Sequence, residues 1–323
     1  MARSISSARS TARFISYDLR PAKQSERRIL VDLLKIGGDC GLPIDTYRYV
    51  GMGANRFYDF LLLHKYLGLS KMISLEHDPE MFKRAKFNVP YGFIELHPKK
   101  AAEFIDQDDA VPPSIYWLDY DGGIGGEILA DIASFATKLK INDFCFVTVA
   151  GVPPGVSDNK NSSDRLAWLQ DTLGEMAGDV TLEDAEKNNF HRAVHKSLIA
   201  AFRHAFAPRT EGTFIPLLQV VYTDTLKMVT VGGAFLAPGT AVDYRAKVNR
   251  VMPFLNTSDP VIYWIQSLHL TERERALFDR AVTSKSRRPA ERAALTRLGF
   301  GRDDFDAYRD LVRYLPRYVE TIV

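Results

Sequence analysis

The chain has little that would staple it or anchor it. Two cysteines, Cys40 and Cys145, stand among 323 residues. That is too few for a disulfide framework, so a reducing compartment is expected. No apolar run reaches the ~18 residues that a membrane helix needs, so no membrane span is expected and a cytoplasmic location is the default. An excess of one charge is also missing. The 42 Lys and Arg against 40 Asp and Glu leave a net +2, which makes no global case for nucleic acid or a membrane surface. No internal repeat or low-complexity tract stands out. What remains is ordinary: 46% hydrophobic and 25% charged residues exclude collagen-like, disordered and disulfide-scaffold classes. The length suits one large domain or two smaller ones.

The charge is unevenly placed. Residues 1–28 carry seven Lys and Arg, including Arg20 and Lys23, against Asp18 and Glu26. The opening MARSISSARSTARFISY is Arg/Ser-rich without acids, a composition shared with organellar transit peptides. A flexible basic arm over 1–24 is the reading preferred here. A second basic stretch holds Lys285, Arg287, Arg288, Arg292 and Arg297. With the arm it could contact nucleic acid, although few aromatics interleave for base stacking.

Between these basic stretches, apolar runs alternate with helical patterns. Ser25 to Lys35 reads as a helix capped by Ser25, with Ile29, Leu30, Leu33 and Leu34 as its stripe. Strand-like runs follow at 47–50, 71–76, 93–96, 114–118 and 143–149, each separated by a helical segment. Continuous apolar strands alternating with helices require a parallel sheet covered on both faces. Two further strand-like runs, Thr213 to Tyr222 and Lys227 to Leu236, are joined closely enough for an antiparallel hairpin. The expected fold is therefore α/β: a Rossmann-like, doubly wound, mostly parallel sheet with an antiparallel last hairpin. It would occupy 25–238, with a helical extension over 239–323 in which Thr271 to Glu274 forms a capping box.

The most informative stretch is Tyr49-Val50-Gly51-Met52-Gly53-Ala54. Glycines are needed where a strand turns sharply into a helix and where a ligand touches the main chain. Glu76 lies 23 residues beyond Gly53 at the next strand end. There a carboxylate can accept hydrogen bonds from both ribose hydroxyls of a nucleoside. Dinucleotide oxidoreductases and methyltransferases both use this arrangement. The missing third glycine, the apparent hairpin and the acids after Leu118 favour the methyltransferase reading.

The stretches YRYVGMGANRFYDF, MISLEHDPE and YWLDYDGGI resemble the first, second and fourth motifs of class I S-adenosylmethionine-dependent methyltransferases. More narrowly, RPAKQSERR, YVGMGANRFYDFLLLHKYLG, MISLEHD, RAKFNVPY and WLDYDG are similar to a bacterial group of O-methyltransferases often met in antiviral defence gene neighbourhoods. The resemblance covers residues 17–150. It implies S-adenosylmethionine as cofactor, with Gly51, Met52, Gly53 and Ala54 under its methionine part and Glu76, beside His77, on its ribose. It also implies an unidentified acceptor, small molecule or nucleic acid, and a homodimer or a defence-system partner. An inactive nucleotide-binding or signalling module and a nucleic-acid methyltransferase are the alternatives.

Asp119 and Asp121 follow an apolar strand and lead into a helix. Asp119 would face the methyl donor and orient or deprotonate an acceptor. A D-x-D pair also suits Mg2+, although Asp158-Asn159 falls too late in the chain to complete a metal site of the catechol-methyltransferase kind. Arg20 and Lys23 could fold over the site as a basic lid before the first helix. Tyr58 opens the helix after the glycine turn, where it would contact substrate or simply pack. His191 and His195, four residues apart, read as a surface helix without a third metal ligand, and Cys145 as a core thiol.

Overall fold

The computed structural model describes residues 20–109, 113–155, 161–257, 260–283 and 289–316. The arm before Arg20, Asp158-Asn159 and the Lys285, Arg287 and Arg288 part of the basic stretch lie outside these residues. Among the described residues no helix is long and apolar enough to cross a membrane.

Five parallel strands form one half of the sheet: β1 (Arg48–Gly51), β2 (Lys71–Leu75), β3 (Ile94–His97), β4 (Ser114–Gly123) and β5 (Phe144–Ala150). β6 (Thr213–Thr223) and β7 (Lys227–Leu236) form the expected antiparallel hairpin, and β7 pairs with β5. The order is β3-β2-β1-β4-β5-β7-β6-β8 among the described residues. The last strand, β8 (Tyr263–Ile265), pairs parallel with β6. The segment read as a helical extension thus also contributes a strand. Three residues are too short for a periodicity signal, and edge pairing supplies what the sequence pattern does not.

Side chains alternate along the inner strands, as two covered faces require. Tyr49, Ile115, Trp117, Phe144 and Phe146 join one apolar cluster, and Val50, Tyr116, Leu118, Cys145 and Val147 the other. The first cluster is covered by α1 (Pro21–Asp39), α2 (Tyr58–Leu67) and α8 (Pro238–Val251). It also takes Phe278, Leu295, Phe305 and Tyr308 from α9 (Glu272–Thr283), α10 (Pro289–Arg297) and α11 (Arg302–Leu311). α4 (Ala101–Gln107), α5 (Gly126–Lys138), α6 (Ser162–Leu173) and α7 (Phe190–Phe206) cover the other face. α3 (Pro79–Asn88) follows β2. The Thr271–Glu274 capping box forms, with Glu274 Oε2 accepting from Thr271 N and Thr271 Oγ1 from Glu274 N.

Three sequence expectations change. α1 begins at Pro21, and Ser25 is buried within it, its hydroxyl donating to Pro21 O at 2.9 Å. Proline at the first position needs no N–H partner. The next two amides, of Ala22 and Lys23, donate to Asp224 in the β6–β7 turn at 3.1 and 2.9 Å. Of the two residues expected in a lid, Lys23 is therefore in the first turn of a docked helix and Arg20 is its N-cap residue. His191 and His195 are not on a surface: both are buried, because that side of α7 packs on the sheet. His195 Nε2 lies 2.9 Å from Gln219 Oε1 on β6, and His191 stands edge-on to Trp264 of β8. Finally, β4 does not stop at Leu118 but runs through the acids to Gly123. Cys145 is fully buried, and burial pushes its thiol up.

Two stability measurements test this packing. A Cβ on Gly232 would run into the backbone of Cys145 and Phe146 on β5. Gly232→Ala should therefore cost about 3 kcal/mol in urea unfolding. Burial, with Lys227 and Arg192 nearby, lowers the His191 imidazole to about 4 from its ordinary 6.5. The unfolded chain then takes up this proton before the folded one. The associated stability is present above pH 6.5 and is lost as pH falls toward about 4. His191→Gln should show a smaller drop in urea midpoint between pH 7 and pH 5 than the parent chain.

Candidate functional site

β1 and β4 lie side by side, yet their connections leave toward opposite edges of the sheet. At such a switch point the strand ends open a crevice. Here it is a cavity of about 470 Å3, reached by Met52, Gly53, Ala54, Glu76, Asp119 and Asp121.

The turn leaving β1 is shaped by packing as much as by glycine. A Cβ on Gly51 would run into the Tyr49 hydroxyl, and one on Gly53 would meet the Phe57 ring and Ser74 Oγ. Gly53 N donates to Ser74 Oγ at 3.1 Å, tying the turn to β2. Ala54 and Phe57 adopt left-handed conformations with φ of 46° and 52°. Each costs of order 1–3 kcal/mol for a residue with a side chain. Full burial of Phe57, edge-on to Phe60 at 5.5 Å, holds the second.

Glu76 follows β2, half-buried, and Oε1 accepts from Asp78 N at 2.9 Å. Burial raises its carboxyl above the ordinary range, opposed by that amide. Asp78 caps α3 by accepting from Met81 N at 2.8 Å, ahead of Pro79. His77 lies between them on the cavity wall. A carboxylate so held can accept from a diol without moving.

Across the cavity the register of β4 against β5 shifts between Asp119 and Gly123, an irregularity that re-aims side chains at a strand end. Asp119 reaches the cavity, while its Oδ2 is 2.8 Å from Lys23 Nζ. Lys23 is 2% exposed and also pairs with the fully buried Glu26 at 2.8 Å. Its ammonium sits over the Trp117 and Tyr222 rings at 4.7 and 5.4 Å. Beyond Glu26, Thr230 Oγ1 donates to Oε1, Thr148 bonds Thr230 at 2.7 Å, and Trp117 Nε1 donates to Thr148 at 2.9 Å. Burial pushes the Glu26 carboxyl up against the pull of Lys23. This buried chain of polar groups joins α1, β4, β5 and β7 to the acid at the cavity.

Sequence reasoning thus named seven residues that the fold brings to one cavity: Met52, Gly53, Ala54, Glu76, His77, Asp119 and Asp121, with Tyr58 as an eighth. Gly51 lies behind the wall, and Lys23 supports it from the far side of Asp119. Arg20 precedes α1 as its N-cap residue, away from the lining. Several lining residues were missed, among them Arg27, Asp59, Lys99 and Tyr120. Arg27 sits among other charged residues at the start of α1, and Tyr120 stands between the two acids of WLDYDG that drew the reading. Its hydroxyl donates to Asp131 on α5, whose carboxyl burial raises. Lys99 follows β3 and was findable, because the ends of parallel strands line the crevice. The Asp119–Asp121 pair does not fit Mg2+: Lys23 already stands at Asp119, and no group of three or more His, Cys, Asp or Glu among the described residues is placed to hold a metal.

The family model described as "Putative O-methyltransferase" matches residues 15–323. No curated protein matches the chain. Among solved structures, it is similar to Trm1 from Pyrococcus horikoshii in complex with S-adenosyl-L-methionine. That match has 13% identity and a TM-score of 0.46, covering 73% of this chain and 61% of that one. An O-methyltransferase from Bacillus cereus in complex with SAH matches at 14% identity and a TM-score of 0.39, over 69% and 85%. CalS10, an amino pentose methyltransferase from Micromonospora echinaspora, matches at 16% identity and a TM-score of 0.30, over 42% and 52%. The chain thus spans only 52% and 61% of CalS10 and Trm1 respectively.

Lys23→Met should leave Glu26 buried without its counter-ion and cost about 3–5 kcal/mol in urea unfolding. Combining it with Glu26→Gln should recover part of that loss. Equal midpoints for the parent and Lys23→Met would show that the buried pair does not hold α1.

Proposed function

We propose that this chain, which belongs to that O-methyltransferase family, transfers a methyl group from S-adenosylmethionine to an oxygen nucleophile bound beside Asp119. The observation that carries this reading is the convergence at one switch-point cavity of a strained glycine turn, a held carboxylate at Glu76 and an ion-paired acid at Asp119. The residues fit the donor. Gly53 presents its bare backbone to the cavity, and Glu76 stands where a ribose diol would be gripped. Met52 and Ala54 cover the methionine side and His77 the nucleoside side.

S-adenosylmethionine, when bound, supplies an electrophilic methyl group on a sulfonium centre. The chain's own work is to hold donor and acceptor in line and to exclude water. Asp119, fixed through Oδ2 by Lys23, orients an acceptor hydroxyl and takes its proton at the cavity wall. Asp121 and Tyr58 also line the cavity. Lys23 acts as a positioning residue through Asp119. The resemblance seen in the motifs further supports a cytoplasmic enzyme of antiviral defence, working as a homodimer or with a defence-system partner.

Calorimetric titration with S-adenosylhomocysteine should show binding to the full chain. Glu76→Ala should lower that affinity roughly 10- to 100-fold, the worth of hydrogen bonds to a charged group. No binding at millimolar ligand, or an unchanged affinity in Glu76→Ala, would sink the donor assignment.

A further inference from the structure

The wall of the cavity beside the glycine turn holds guanidinium nitrogens that the fold leaves without hydrogen-bond partners. Arg27 on α1 is 5% exposed, and its Nε and Nη1 are buried without a hydrogen-bond partner. Its guanidinium lies over the Tyr58 ring at 5.6 Å and borders the cavity. Lys23, one turn earlier, is paired twice. Buried guanidinium donors are costly unless something answers them. A rigid fork of N–H groups matches a carboxylate bidentately.

Asp59, in the first turn of α2, borders the same cavity. Its Oδ2 accepts from the Tyr49 hydroxyl, which fixes the carboxyl from behind. Burial raises the Asp59 carboxyl and Arg27 opposes this through space, yet no ion pair within 4.0 Å joins the two. A cation and an acid therefore stand on one wall, coupled through space but not joined in an ion pair. Such a wall is complementary to a zwitterion. It flanks the Gly53–Ala54 turn on the side of α1 and α2, whereas Glu76 stands at the end of β2. Asn55 in the same turn also has both side-chain polar atoms buried without a partner.

We propose that Arg27 and Asp59 receive the amino-acid end of the methyl donor, Arg27 pairing with the α-carboxylate and Asp59 with the α-ammonium. This rests on the donor reading given above. It assigns to α1 a direct part in ligand binding and sets the donor's direction across the cavity, from Glu76 past Gly53 to Arg27. A nucleoside without the amino-acid end would then lose the contacts to both residues.

Calorimetry on the full chain with two ligands tests it: S-adenosylhomocysteine, and 5′-methylthioadenosine, which keeps the nucleoside and thioether but lacks the amino acid. The parent chain should prefer S-adenosylhomocysteine. Arg27→Met should lower that affinity roughly 10- to 100-fold and leave methylthioadenosine binding within about twofold. Arg27→Lys keeps the charge and loses the fork, so it should fall between. It also serves if the methionine variant does not fold, and a thermal melt monitors both. Asp59→Asn should likewise weaken only the amino-acid ligand. Equal losses for both ligands would show a merely structural role and overturn the assignment. Unchanged S-adenosylhomocysteine affinity in Arg27→Met would overturn it too, leaving Arg27 to a carboxylate on the acceptor, while the donor reading stands. A parent chain that binds neither nucleoside would remove the donor reading and this inference together.

Discussion

The fold's central constraint is an ammonium that cannot be left alone. Lys23 is enclosed by Trp117, Tyr222, Glu26 and Asp119. Desolvating a lysine is tolerable only with close counter-charges, so α1, β4 and the hairpin strands must arrive at one place together. The same requirement fixes Asp119. An acid at a strand end would ordinarily be a solvated group with many rotamers. Here one oxygen is committed to a buried partner, and that partner is braced through Glu26, Thr230 and Thr148 back to the indole of Trp117. The acid's orientation is thus set by the packing of four elements.

The remainder of the cavity follows a different logic, in which the backbone is bent first and the side chains secure it. Ala54 and Phe57 hold left-handed conformations that their side chains resist. The Phe57 ring fills the space a Cβ on Gly53 would need, so the glycine and the aromatic residue specify one another. Tyr49 does the same beneath Gly51. Its hydroxyl occupies the place of the missing side chain and binds Asp59. Local strain is therefore balanced by burial of two rings.

Much of this was legible in the sequence, and the reasons are physical. Parallel strands buried on both faces write continuous apolar runs, so β1, β2, β4 and β5 stood out. Glycines and acids at their ends marked the crevice. What stayed hidden was whatever depends on distant parts of the chain. Ser25 looks like a helix cap because its neighbours are polar, but the capping acid is Asp224, some 200 residues away. His191 and His195 look amphipathic and exposed, and become buried only because the hairpin and β8 provide a surface to cover them. Arg27 reads as one more basic residue in a charged segment. Only the assembled cavity shows that its donors have no partner.

Asp224 has a consequence for how the protein is made. Ribosomal synthesis delivers the glycine turn, Glu76 and Asp119 well before the hairpin that secures the start of α1. The first α/β units therefore emerge before Tyr222, Asp224 and Thr230, which complete the surroundings of Lys23 and Glu26. Only when the β6–β7 turn leaves the exit tunnel can Asp224 receive the amides of Ala22 and Lys23 and draw the helix against the sheet. The first helix of the chain is thus completed by a turn translated some 200 residues after it.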